Sequence, residues 1–495
     1  MSLSPFLLVS AAFASALLFS VFHAHRRRSS RFPPGPTGTL FGGMASKISA
    51  TEPWQQYHAW SQQYGPVMSF RVYNTRIVVL NSYRSIHDLL NGRASIYSDR
   101  PYSSMLHDPN MCNRGKTVFN ISAKHPRHRK YRKLLQGGLS AKATKEYESL
   151  LVDETKALVE GLAEMPRMVE WLVRRNAGAM IMKVAFGYTI ADRNDFFLEG
   201  AKESSQISGK AMAPGRWLVN YYPILRHVPS WLPGAAFKRQ ANEWRERFDS
   251  LTDAPHEWVK ERMATGKYTE SFTSKLLKAG VDGRGSLCGE DENIVKFCAA
   301  GLYAGAADTT ISALLSFILL MALYPAVQER GQQELDSLFD DGHDQESRYL
   351  TLEDLDRLDY LPLVMKEVLR FACVGPLALP HEVTENDIYD NYLLPKGSTV
   401  LANVWSIMHD PELYPDPFTF NPDRFIPSSG SEKISQQLDP CVVAFGFGKR
   451  TCPGRAFAEA SMLLTMANIL FFLSIRPACP QVPSAPLQFT TGFTR

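Results

Sequence analysis

Phe445-Gly-Phe-Gly-Lys-Arg-Thr-Cys-Pro-Gly454 is the stretch that decides how this chain of 495 residues is read. Three glycines in ten residues let the backbone turn tightly and approach another group closely. An apolar run with helical spacing, Ala456 to Leu473, follows Cys452. The sulfur is therefore expected at a helix N-terminus, where the positive end of the dipole and free N–H groups favour thiolate over thiol. Phe445 is positioned to shield that sulfur from water, and N–H groups after Cys452 to tune its electronics. Cys112, Cys288, Cys298, Cys373, Cys441 and Cys479 show neither CxxC nor zinc-ligand spacing. Scattered cysteines of this kind argue for a reducing compartment. Cys298, Cys441 and Cys479 read as small buried apolar residues.

Outward from that loop, the composition is that of a globular chain, 45% hydrophobic and 21% charged, long enough for a large core. A net charge of +4 is too small to point to nucleic acid. The N-terminus carries Pro5 to Phe22 without a charge, and Arg26, Arg27, Arg28 and Arg31 follow it. Roughly 18 apolar residues is the lower limit for a membrane-spanning helix. A cleaved signal peptide competes with this reading, but its positive charges would precede the apolar run. With the arginines downstream, the remainder of the chain is expected on the cytosolic side. The expected division is a membrane anchor over 1–24, a basic and proline-rich linker over 25–50, and one catalytic domain over 51–495. Phe32-Pro-Pro-Gly-Pro36 reads as a semi-rigid strap. Helical patterns dominate, with strand-like runs at Val67–Val72 and Arg76–Leu80.

The cysteine loop resembles the cytochrome P450 family pattern F-x-x-G-x-R-x-C-x-G at every fixed position. Within that family the chain resembles fungal microsomal enzymes of secondary metabolism. The resemblance implies a mainly α fold with a small β subdomain, preceded by an N-terminal transmembrane helix. It implies b-type haem with Cys452 as the axial iron ligand, a bond in which thiolate pushes electron density toward the opposite face.

Further motifs come in the family's order. Glu367 and Arg370, in Val364-Met-Lys-Glu-Val-Leu-Arg370, share one helix face. Asn421-Pro-Asp-Arg-Phe425 resembles the P-E-R-F segment, with Asp423 where Glu is usual. The resemblance places Glu367, Arg370 and Arg424 in a buried network that braces the cysteine loop. An all-round apolar helix, Ile294 to Leu323, is expected to be central and buried, with Gly305-Ala-Ala-Asp-Thr-Thr310 in its middle. A local kink, Thr309 bonding back to a carbonyl one turn earlier, is one reading of that segment. The family reading makes Asp308 and Thr309 the catalytic pair that delivers protons for oxygen activation. Arg132 matches the Arg of a W-x-x-x-R motif whose Trp is replaced by His128. The resemblance adds Arg450 and His381 as further partners of the haem propionates. The other basic residues around Arg132, with Lys449, are expected to face an acidic redox partner.

The implied reaction takes O2 and two NADPH electrons and oxidises a lipophilic small molecule. No flavin or dinucleotide motif is present, so the electrons are expected from a separate FAD/FMN NADPH–cytochrome P450 reductase, or from cytochrome b5, at the endoplasmic reticulum membrane. By family position the pocket draws on Tyr102 to Phe119, Ile207 to Val219, Tyr303 and Ala304, Gly375 to Leu379, and Thr490 to Phe493. Trp217 and Trp231 are expected either at the bilayer or in the core. Relatives continue past Thr491-Gly-Phe493 through a further strand, so an end at Arg495 is expected to leave strand-edge backbone unpaired. A haem-thiolate isomerase or dehydratase, or a non-catalytic haem protein, remain as other readings.

Overall fold

The computed structural model describes residues 31–190, 195–280, 289–339, 348–427 and 437–478. The expected anchor over 1–24, Cys288, Cys479 and the pocket segment Thr490 to Phe493 lie outside the described residues. Within them the chain is mainly helical with a small sheet. Two helices, Gly289–Leu323 and Arg455–Phe472, are long and apolar enough to cross a membrane, but at least half of each apolar window is buried inside the protein.

The central helix runs Gly289–Leu323, about 50 Å at 1.5 Å per residue. It starts earlier than its apolar run because Glu290, Asp291 and Glu292 occupy its first turn, where carboxylates suit the positive dipole end. Its apolar residues point in every direction, so it needs partners all round. Val169–Phe186, Pro126–Gly138, Leu361–Ala372 and Arg455–Phe472 supply them. Phe317, Leu314, Val368, Leu464 and Met466 meet in the resulting core.

The sheet lies to one side, in the order β1-β2-β6-β3. Strands β1 (Val67–Val72) and β2 (Thr75–Leu80) form an antiparallel hairpin with Val72 opposite Thr75. Strand β6 (Thr399–Ala402) adds parallel to β2, and the short β3 (His381–Glu382) pairs antiparallel with β6. In β1, only Arg71 is exposed, and the β-branched and aromatic residues of this hairpin suit a strand covered on both faces. A second hairpin joins β4 (Asp387–Tyr389) to β5 (Tyr392–Leu394). The proline strap lies along β1: Ser69 donates its amide to Pro34 O at 2.8 Å and its hydroxyl to Pro33 O at 2.8 Å. Adding a Cβ at Gly35 would bring it to 2.0 Å from Ser69 O.

Glu367 and Arg370 sit on Leu361–Ala372 with no exposed side-chain surface, 0% each. Arg370 grips the carboxylate with Nε and Nη2, both at 2.8 Å. Arg424 Nε donates to Glu367 Oε1 at 3.1 Å, and the Asn421 amide donates to it at 2.9 Å. The remaining guanidinium N–H groups bond carbonyls of Met408, Pro417, Pro415 and Thr419. Asp423 faces outward instead and pairs with Arg330. Removing one partner from a buried pair strands the other charge and costs about 3–5 kcal/mol. Glu367→Ala should therefore lower the unfolding free energy by that amount in chemical denaturation, whereas Asp423→Ala should change it by less than about 1 kcal/mol.

Candidate functional site

The cysteine loop folds as its glycines require. Gly446 and Gly448 take φ of 77° and 53°, the left-handed region that glycine enters freely. A Cβ on Gly448 would lie 2.3 Å from Leu90 O, and the Gly448 amide donates to Asn91 Oδ1 at 2.8 Å. The Cys452 amide closes the loop onto Phe445 O at 2.7 Å, and Arg455–Phe472 begins three residues beyond the sulfur.

Cys452 has open surface, but that surface faces an internal cavity of about 410 Å³. The Gly454 N–H and the Arg132 charge favour thiolate, as expected. Burial outweighs both and pushes the thiol above its ordinary value. A positive metal ion against the sulfur would favour thiolate. Phe445 also lines the cavity, with the Arg455 guanidinium over its outer face, 5.5 Å from the ring centre.

Gly305, Ala306, Asp308 and Thr309 of the central helix line the same cavity. Thr309 Oγ donates back to Gly305 O at 2.9 Å. The local bonding weighed from sequence is therefore present, and it leaves the hydroxyl oxygen's lone pairs free to accept. Asp308 does not bond Thr309; it pairs with Arg174 of Val169–Phe186 at 3.6 Å. Arg174 also reaches Glu170 at 3.4 Å. No motif flags Arg174, which meets Asp308 only through helix packing.

At one margin of the cavity the structure collects His128, Arg132, His381 and Arg450, as expected, and adds Arg100. Arg132 Nη1 donates to Thr451 O at 2.5 Å, and Arg450 Nε to Ser98 O at 2.9 Å. Arg100 Nη1 bonds Leu379 O and Pro380 O at 2.9 and 2.6 Å. His381 donates Nδ1–H to Tyr97 O at 2.6 Å, which leaves its Nε2 as an acceptor while the ring is neutral. Burial, then neighbouring arginines, push His128 down to about 4 and His381 to about 3. Arg100 falls to about 9 through burial and the Arg450 charge, and Arg450 to about 10 through burial. Asp99 is the carboxylate that acts against this repulsion on Arg100, His128 and Arg450. A donor set with this surplus of positive charge fits a ligand that brings carboxylates of its own.

Residues 33–490 match the family described as Cytochrome P450. The chain belongs to the cytochrome P450 family. Over 91% of its length it is 35% identical to the cytochrome P450 monooxygenase claR of Ampulloclitocybe clavipes, covering 81% of that protein. It is 34% identical to cytochrome P450 monooxygenase 208 of Postia placenta over 93% of this chain and 87% of that one. It is 33% identical to tryptamine 4-monooxygenase of Psilocybe cyanescens over 99% of this chain and 95% of that one. Membership makes this an oxidoreductase-family chain of the monooxygenase kind and implies haem iron.

Other expectations divide. Of the loop Tyr102 to Phe119, Leu106, Arg114 and Thr117 to Phe119 line the cavity while Tyr102 is exposed at the surface. Tyr303 is buried in the core and leaves the lining to Ala304. Arg127 is not free for a redox partner: it is buried and bonds Glu290 and Asn293. Lys130 pairs with Asp291 at 3.2 Å. Arg129, Lys133 and Lys449 do stay exposed. Trp231 is 77% exposed, whereas Trp217 packs edge-on against Trp244 at 5.6 Å.

Gly448→Val tests the loop's construction. Positive φ and the contact with Leu90 O both oppose a side chain there. Thermal unfolding should fall by several degrees, the shift expected for about 1–2 kcal/mol or more, while Gly137→Ala, which meets nothing within 4 Å, should not lower it.

Proposed function

We propose that the protein is a haem-thiolate monooxygenase, with Cys452 as the axial ligand of b-type haem iron. The supporting observation is the single cavity that has Cys452 on one wall, Thr309 on another and five cationic or basic side chains at its margin. Haem, when bound, supplies the redox chemistry: O2 and two electrons are consumed, one oxygen atom enters a C–H or C=C bond and the other leaves as water.

The chain's own residues do the rest. Arg100, Arg132 and Arg450 would hold propionate oxygens by charge-assisted bonds, and that negative charge would offset the mutual repulsion of the arginines. His128 and His381 sit beside them. His381 Nε2 needs a proton to donate, which two adjacent carboxylates favour. Thr309, fixed by its bond to Gly305 O, presents its hydroxyl oxygen to the cavity and orients a proton donor there. Asp308, held by Arg174, draws protons from outside when that pair opens. Phe445 keeps water from the sulfur.

The substrate is a lipophilic small molecule, in keeping with the apolar and aromatic lining contributed by Leu106, Val118, Phe119, Phe297 and Leu379. Its biological setting is fungal secondary metabolism. Electrons come from NADPH through a separate FAD/FMN cytochrome P450 reductase or cytochrome b5, docked on exposed Arg129, Lys133 and Lys449. The anchor over 1–24 places a cytosolic catalytic domain, residues 51–495, on the endoplasmic reticulum membrane. Leu40, Phe41, Ile224 and Trp231 are each at least 75% exposed; the Leu40–Phe41 turn adjoins Tyr73, whose amide donates to Gly42 O at 3.0 Å, and Tyr73 packs on Tyr221 at 4.8 Å, three residues before Ile224. Together they suit an interface with lipid.

Two measurements test this reading. Purified Cys452→Ser should lose the red-shifted ferrous–carbon monoxide absorption of a thiolate-ligated haem; retaining it removes the proposal. In microsomes with reductase, Thr309→Ala should keep consuming NADPH while oxidised product per NADPH falls by roughly 10²-fold, the low end for a proton-transfer group. Unchanged product yield would instead favour a haem-thiolate isomerase or dehydratase.

A further inference from the structure

Arg114 is bonded more sparsely than Arg100 and Arg450, two other arginines of the cavity. It lies in the loop between Ser104–His107 and Pro126–Gly138, which lines the cavity and packs on the helix Ala236–Ala264 through Arg114 itself. A guanidinium has five N–H donors, and among the described residues a single hydrogen bond engages this one, Nη1 to Thr252 Oγ1 at 3.2 Å. Its flat face rests over the Phe248 ring, 4.6 Å from the centre. Arg100 and Arg450, by contrast, bond two or more backbone carbonyls each.

No ion pair holds Arg114 among the described residues. Asp249 and Asp253 act on it through space, yet Asp249 is exposed to solvent and Asp253 is already paired with Lys296 at 2.6 Å. Burial pushes the guanidinium down to about 10, so it remains a cation at neutral pH. Its backbone is fixed in place. The Arg114 amide donates to Leu106 O at 2.7 Å, and its carbonyl accepts from Thr117 Oγ and Asn120 Nδ2 at 2.9 and 3.2 Å. A cation with spare planar donors, held rigidly against an apolar cavity, is costly unless something anionic meets it.

We propose that Arg114 anchors a carboxylate of the substrate, so that the molecule oxidised is an amphipathic organic acid. The guanidinium fork matches a carboxylate with two parallel bonds, and stacking on Phe248 preorganises it. Hydroxyls of Ser204, Ser205 and Ser208 line the same cavity and suit further polar groups on an otherwise apolar ligand. An ammonium substrate, such as the amine for which one relative is named, would be repelled. This rests on the monooxygenase reading for the reaction, and names the class of molecule it acts on.

Equilibrium dialysis of the purified holoprotein at neutral pH, with dodecanoic acid and methyl dodecanoate as probes, tests it. Wild type should bind the acid about 10- to 100-fold tighter than the ester, the range for hydrogen bonds to a charged group. Arg114→Gln should lose that preference and bind the ester as before; Arg114→Lys should keep part of it. An acid that binds wild type no tighter than the ester, or not at all, overturns the proposal, as does an equal loss of both probes in Arg114→Gln. Dialysis reads bound probe and not turnover. A failed acid preference with a normal ferrous–carbon monoxide spectrum therefore condemns Arg114 alone, and the opposite pattern condemns the haem reading alone.

Discussion

One carboxylate without exposed surface, Glu367, holds two arginines in the interior, and much of the chain around the site hangs from those arginines. Arg370 and Arg424 spend their other N–H groups on carbonyls between Met408 and Thr419. That irregular stretch has no ladder of its own and would otherwise carry unpaired buried backbone. Arg424 also reaches Gln437 at 3.4 Å, where the described chain resumes toward the cysteine. Lys366, beside Glu367 on the same helix, pairs with Asp439 at 3.1 Å, whose Oδ1 caps Cys441 N at 2.9 Å. The segment 437–441, which leads into the cysteine loop, is thus held at two points, one from Leu361–Ala372 and one from Arg424. A hydrophobic replacement of similar volume could match the stability of such a cluster, but it could not satisfy these carbonyls. The demand for donors explains why charge is kept here.

The second constraint is electrostatic. The cavity gathers Arg100, Arg132 and Arg450 with two histidines, and the depressed pKa values of Arg100 and His128 arise in part from neighbouring arginines. Proteins tolerate such clusters where function demands them, and perturbed groups gather at sites for that reason. Carbonyl partners from Ser98, Leu379 and Thr451 keep the guanidinium groups solvated without cancelling their charge. The margin is therefore strongly cationic, while Val118, Phe119, Phe297 and Leu379 make much of the remaining lining apolar.

What was legible from sequence followed chain proximity. The glycine loop, the helix after Cys452, the Glu367–Arg370 pair and the β1–β2 hairpin all rest on spacings of a few residues, where periodicity and turn chemistry decide the outcome. Arg100, Arg114 and Arg174 were not legible. Each acquires its meaning from a partner on another element: Leu379, Thr252 and Asp308, respectively. Arg127 failed for the same reason, since its place in a basic stretch suggested a surface role and Glu290 pulls it into the interior. For Cys452 the N–H contribution has the sign read from sequence, while the desolvation of a small anion in a largely apolar cavity opposes it.

That last imbalance ties the two constraints together. A buried sulfur that resists ionisation and a ring of cations that repel one another are each unfavourable alone. A metal ion against Cys452 would supply the positive charge that stabilises its thiolate, and carboxylates against the arginines would supply the negative charge they lack. In the proposed reading, a ligand with a metal at its centre and acids at its edge would relieve both at once.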